Sequence, residues 1–134
     1  MKREPRYRWL GSRPHGETLR WLARSHLLVV SSVMEGGANV ICEAARIGVP
    51  VLASRVPGNV GMLGHDYAGY FKLRDEGALA RLLERAVGDL KYYHRLKQAV
   101  RARRRLFAPS EEGGAVRRLV REIKLAERTR RRTA

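Results

Sequence analysis

Two short apolar runs, Leu27-Leu28-Val29-Val30 and Val49-Pro50-Val51-Leu52-Ala53, are separated by a single helix-length segment. Runs that are apolar without alternation, and rich in β-branched residues, mark strands covered on both faces. Asn39 stands where a helix N-cap belongs, and Gly48 where a helix ends in a left-handed turn. Pro50 falls in the first residues of its strand, where a missing amide is tolerated. Strand, helix and strand in such short order predict βαβ units and a parallel sheet.

The flanking segments extend this α/β reading. Tyr7-Arg8-Trp9-Leu10 alternates and stops at Gly11, which predicts a further strand. Pro14 then opens a helix carrying Leu19, Leu22 and Ala23 on one face. Residues Arg55–Gly64, with Gly58, Gly61 and Gly64, read as a loop, and Tyr70-Phe71-Lys72-Leu73 as a short strand. Beyond it, three apolar sets recur at helical spacing: Leu79, Leu82, Leu83 and Ala86; Tyr93, Leu96 and Val100; Val116, Leu119, Val120 and Ile123. Pro109-Ser110 separates the last two. The expected organisation is a Rossmann-like parallel sheet flanked by helices over residues 1–108. An amphipathic helix follows over 109–127, then a basic, frayed tail over 128–134.

The 134 residues suffice for one domain with a real core, and a hydrophobic content of 44% excludes wholesale disorder. No apolar run approaches the roughly 18 residues of a membrane helix, and no signal peptide is recognisable. The one cysteine, Cys42, permits no internal disulfide and reads as a small buried side chain, which fits a reducing cytoplasm. His15, His26, His65 and His94 show no metal-binding spacing.

A net charge of +15 raises nucleic acid or an anionic surface as a partner. Lys91–Arg105 holds seven basic residues and no acid, and Arg117–Ala134 holds eight basic residues and two acids. These alternate with apolar residues at helical spacing, so the plainer reading is amphipathic helices with arginine-rich solvent faces.

Parallel sheets bind ligands outside the carboxyl ends of their strands, which directs attention to Met34-Glu35-Gly36-Gly37-Ala38-Asn39-Val40-Ile41-Cys42-Glu43. A strand delivers the chain to a Gly-Gly loop, and a helix begins at once. Unpaired amides and the positive helix end suit a phosphate, and glycines allow it close to the backbone. Glu43, four residues after Asn39 on the same helix face, can accept hydrogen bonds from a vicinal diol such as a ribose. Glu35 can accept from another hydroxylated group. A lone Gly-Gly also fits a plain turn, and a lone Glu43 a solvated helix residue. Two glutamates eight residues apart across a strand–loop–helix junction are more specific.

That pair, followed by Ala44 and by Gly48-Val49-Pro50-Val51-Leu52-Ala53-Ser54, resembles the donor domain of retaining glycosyltransferases of the GT-B fold, family 4 type. The similarity runs from about Tyr7 to Asp89, with Trp9-Leu10-Gly11 at the strand end near the nucleobase and Ser32 before the motif. It implies that Glu35 contacts the donor sugar near the reacting carbon. The backbone of Gly36, Gly37, Ala38 and Asn39 would face the diphosphate, and Glu43 would bind the ribose. It implies a UDP-linked donor and neither metal nor other cofactor. Two departures stand out: Gly37-Ala38-Asn39 replaces the usual Phe-Gly, and Gly58-Asn59-Val60-Gly61 replaces Gly-x-Pro-Glu. Both are similar to the branch that contains the selenosugar synthase of selenoneine biosynthesis, where the acceptor is selenophosphate.

The family also uses an arginine and a lysine on a preceding strand–helix segment, and a separate acceptor-binding N-terminal domain. Neither precedes Tyr7 in this sequence, so the resemblance implies part of an enzyme, completed by the same gene or a partner chain and weak by itself. The competing readings are a basic nucleic-acid-binding α/β module and an inactive fragment.

Overall fold

A computed structural model of the chain describes residues 4–34, 39–107 and 113–132. Three strands, β1 (Leu28–Val30), β2 (Val51–Ser54) and β3 (Tyr70–Phe71), form one parallel sheet in the order β1-β2-β3. Leu28 lies opposite Val51 and Val30 opposite Ala53, while Ala53 and Ser54 lie opposite Tyr70 and Phe71. The helices are α1 (His15–Arg24), α2 (Asn39–Ile47), α3 (Pro57–Leu63), α4 (Glu76–Gly88), α5 (Leu90–Ala102) and α6 (Gly113–Arg132), with a 3-10 turn at Arg103–Leu106. This is the open α/β sheet that the apolar runs predict.

The core gathers around β2. All four of its residues are fully buried, together with Ile41, Ala44 and Ala45 of α2 and Leu96 and Val100 of α5. Small side chains at 44 and 45 let α2 sit close to its neighbours, and it touches α1, α5 and α6. Gly48 ends α2 at φ +92°, its amide donating to the Ala44 carbonyl at 2.7 Å. The positive φ calls for glycine; a Cβ there would also fall 2.9 Å from Nε of Arg101, a flexible side chain that could move aside. Aspartates cap two later helices: Asp75 accepts from the Ala78 amide at 2.8 Å and Asp89 from the Tyr92 amide at 3.1 Å.

Five expectations are corrected. Tyr7–Leu10 forms no strand; Tyr7 and Trp9 are 68% and 80% exposed, because no neighbour offers that alternating run a ladder to join. β1 is covered on one face only, since Val29 at its centre is exposed. The Arg55–Gly64 loop is largely a helix, α3, with Pro57 at its first turn. Its carbonyl end is satisfied from elsewhere: Arg103 Nε donates to Met62 at 2.8 Å and the Tyr70 hydroxyl donates to Gly64 at 2.7 Å. Finally, α6 continues through residues 128–132, where a frayed tail is expected. Asn39 is the first residue of α2 rather than the residue before it. Pro109-Ser110, read as a break, lies outside the described residues, as does the rest of 108–112.

Short β3 reaches β2 only at Ala53 and Ser54, leaving Val51 without a strand on that side. The Tyr67 hydroxyl substitutes for one: it donates to the Val51 carbonyl and accepts from the Val51 amide at 3.2 Å. Tyr67→Phe therefore orphans two buried backbone groups, and urea denaturation should show a loss of about 1–3 kcal/mol. Burial also pushes the Tyr67 hydroxyl well above its ordinary value of 10.0, outweighing the bond to Val51 that lowers it. The native chain thus keeps a proton that the unfolded chain releases near pH 10. The resulting stability is complete below that pH and declines as pH rises above it. Tyr67→Phe should flatten this alkaline limb.

Candidate functional site

Because the sheet is parallel, the exits of β1, β2 and β3 lie at one edge, where α2, α3 and α4 begin. Ser54, the last residue of β2, is fully buried, and its Oγ donates to the Ser32 carbonyl at 2.7 Å. The Val30 carbonyl lies 3.4 Å from the same hydroxyl. The exit of β1 is thereby tied to the exit of β2. From α3, Asn59 Nδ2 donates to the Ser54 carbonyl at 3.0 Å and to its hydroxyl at 3.3 Å. Ser32, Ser54 and Asn59 form one polar chain behind the site. Asn59 Oδ1 is buried with no partner among the described residues.

Glu43 stands one turn into α2, and its side chain is only 13% exposed. Its Oε1 lies 3.4 Å from Nε2 of His15, at the start of α1. His15 is half exposed, so this pair contributes little to stability; it sets the imidazole beside the carboxylate, which has a further interaction as well. Asn39 is exposed at the amino end of α2. Ser32 is half-buried and takes part through its backbone carbonyl. Gly11 adopts φ +66° in the irregular segment before α1, and no described hydrogen bond joins it to Asn39 or Glu43. Glu35, Gly36, Gly37 and Ala38 lie outside the described residues. Of the sequence-predicted set, Ser32, Asn39 and Glu43 are thus placed around the exit of β1 and the first turns of α2.

Sequence reasoning missed His15, Ser54, Asn59 and Arg55. Asn59 is hidden by the glycines around it, which suggest a loop; Pro57 two residues earlier is the signal that could have found α3. Arg55 leaves β2 at the carboxyl edge, its guanidinium 5.1 Å from the ring centre of Tyr70. It brings a cation to that edge. A cavity of about 320 Å³ opens there between Ser31 and Val33 after β1 and Phe71, Arg74 and Asp75 after β3. That volume suits a small organic ligand. Cys42 is free and partly buried, and burial pushes its thiol above the ordinary value, which keeps it protonated and unreactive. No helix among the described residues is long and apolar enough to cross a membrane.

An open parallel sheet with a helix starting at its carboxyl edge and an acid set one turn in defines a Rossmann-like domain of the GT-B type. The sequence matches the family of glycosyl transferases group 1 over residues 2–103, and the chain belongs to that family. The chemistry of this class is transfer of a sugar from a nucleotide-sugar donor to an acceptor. The match covers everything through α5 and stops in the 3-10 turn, short of α6.

The buried Ser54 hydroxyl is the link on which the rear wall depends. Ser54→Ala should cost about 1–3 kcal/mol in a denaturant titration, since it removes a partner from both the Ser32 carbonyl and Asn59.

Proposed function

We propose that the chain is the nucleotide-sugar-binding portion of a retaining glycosyltransferase of the family 4 type, and that its donor is a UDP-sugar. The observation that carries this reading is Glu43: a largely buried carboxylate, beside His15, one turn into a helix that begins at the carboxyl edge of the sheet. A buried acceptor pair of this kind suits a ribose diol, and the amide donors at the helix start suit a diphosphate. In this reading Glu35 contacts the sugar hydroxyls, the backbone from Gly36 to Asn39 faces the diphosphate, and Gly11 lies near the nucleobase. As the bond between the anomeric carbon and the diphosphate breaks, negative charge grows on the departing UDP. The helix amides and nearby cations such as Arg55 stabilise that charge without a metal.

The acceptor we assign is selenophosphate. Its selenium attacks the anomeric carbon, a carbon–selenium bond forms, and UDP leaves with the electron pair of the broken carbon–oxygen bond. The Gly37-Ala38-Asn39 and Gly58-Asn59-Val60-Gly61 variants support this assignment through their likeness to the selenosugar branch.

Calorimetric titration with UDP and UDP-N-acetylglucosamine at two salt concentrations tests the donor reading. Saturable binding that prefers the sugar nucleotide and persists at the higher salt is expected. Glu43→Ala should weaken UDP by at least about tenfold, and His15→Ala by a few-fold, since it removes only one neighbour of the carboxylate. An unchanged UDP affinity in Glu43→Ala overturns the assignment.

A further inference from the structure

The arginine-rich helices do not spread their charge evenly over solvent. A cavity of about 420 Å³ lies between α2, the 3-10 turn and α6, and five cations line it: Arg46, Arg104, Arg117, Arg121 and Lys124. Its remaining lining is apolar, from Phe107 and Val120. Arg117, Arg121 and Lys124 stand at i, i+4 and i+7 of α6, hence on one face. The acids Glu122 and Glu127 of the same helix line two further cavities, with Arg20, Arg118 and Arg130, and not this one. The two further cavities are therefore mixed in charge, while the charged lining of this one is purely cationic among the described residues. Arg46 has a further interaction of its own, so the weight falls on the other four. Glu111 and Glu112 lie outside the described residues.

Converging like charges in a concave, partly apolar space repel each other, and that repulsion is relieved by an anion between them. Guanidinium groups from two elements offer paired donors that match phosphate oxygens. Phe107 and Val120 supply a surface for an apolar or planar organic part. The volume lies in the range of small-ligand sites. Extended single-stranded nucleic acid fits less well, because it needs aromatic side chains on which bases stack. The exposed aromatics Tyr7, Trp9 and Trp21 belong to the N-terminal segment and α1 and do not line this cavity.

We propose that this cavity is a second ligand site, for a compact organic anion carrying at least two phosphate groups. It is separate from the donor site. None of Ser32, Asn39 and Glu43 lines the cavity, although Glu43 precedes Arg46 by only three residues, about 4.5 Å along the axis of α2 at 1.5 Å per residue. Apart from Arg46, every lining residue lies beyond the part of the chain that matches the glycosyltransferase family. The ligand would bridge α6 to α2 and the 3-10 turn.

The test titrates the full chain calorimetrically with inorganic tripolyphosphate, and separately with a single-stranded oligothymidylate. Three proteins are compared: the natural chain, Arg104→Gln with Arg121→Gln, and Arg81→Gln with Arg128→Gln. Each double variant removes two exposed positive charges, but only the first pair lines the cavity. Saturable tripolyphosphate binding is expected, weakened about tenfold or more by the first pair and less than about twofold by the second. UDP affinity should be the same in all three, which separates this site from the donor reading. Absence of saturable binding overturns the proposal. So do equal losses in the two pairs, which would mean diffuse charge attraction. A tighter oligothymidylate complex, lost with either pair, would assign the surface to nucleic acid instead.

Discussion

The complete burial of β2 governs the rest of the structure. A buried strand has to bond every amide and carbonyl on both sides, and a short sheet supplies few partners. β1 serves one side of β2. On the other, β3 reaches only Ala53 and Ser54, and the Tyr67 hydroxyl completes the ladder at Val51. The fold thus needs a tyrosine where a longer third strand would otherwise run. The same requirement at the far end brings Ser54 into contact with Ser32 and Asn59 and so shapes the wall behind the candidate site.

The parts of this design that were legible in the sequence are those set by local pattern. The apolar run at Val49–Ala53 located β2, Gly48 located the end of α2, and Tyr70-Phe71 located β3, because burial on two faces and a left-handed turn each leave a distinct residue signature. The misses have a common cause. Tyr7–Leu10 has the alternation of a strand but no neighbour to pair with, and pairing is not a local property. α3 carries Gly58 and Gly61, which argue against a helix, yet it is held by Pro57 at one end and at the other by Tyr70, six residues on, and by Arg103, far away in sequence. Within the site, Glu43 and Ser32 were visible through the motif, whereas His15 and Asn59 entered through tertiary contacts. The charge runs were visible as amphipathic helices; their convergence on one cavity depends on how α6 lies against α2.

α2 is the element through which these features meet. Its amino end stands at the carboxyl edge of the sheet, where the donor reading places the diphosphate. Its carboxyl end borders the cationic cavity, and its middle is packed through Ile41, Ala44 and Ala45. A helix dipole favours anions at its start and cations at its end, and Arg46 in the last turn follows that preference. The family match includes α2 and ends before α6, so α2 packs against a helix beyond the matched residues.

Two adjacent tyrosines on α5 reach in different directions. The Tyr92 hydroxyl donates to the Ala68 carbonyl at 2.9 Å, just before β3, and the Tyr93 hydroxyl donates to the His26 carbonyl at 2.7 Å, just before β1. α5 consequently spans the sheet like a tie-bar between its two outer strands. Neither strand can peel away alone without breaking a bond to α5, so local fraying at one rim is coupled to the other. Both rims of the sheet are thus tied to one helix, each by a single tyrosine hydrogen bond.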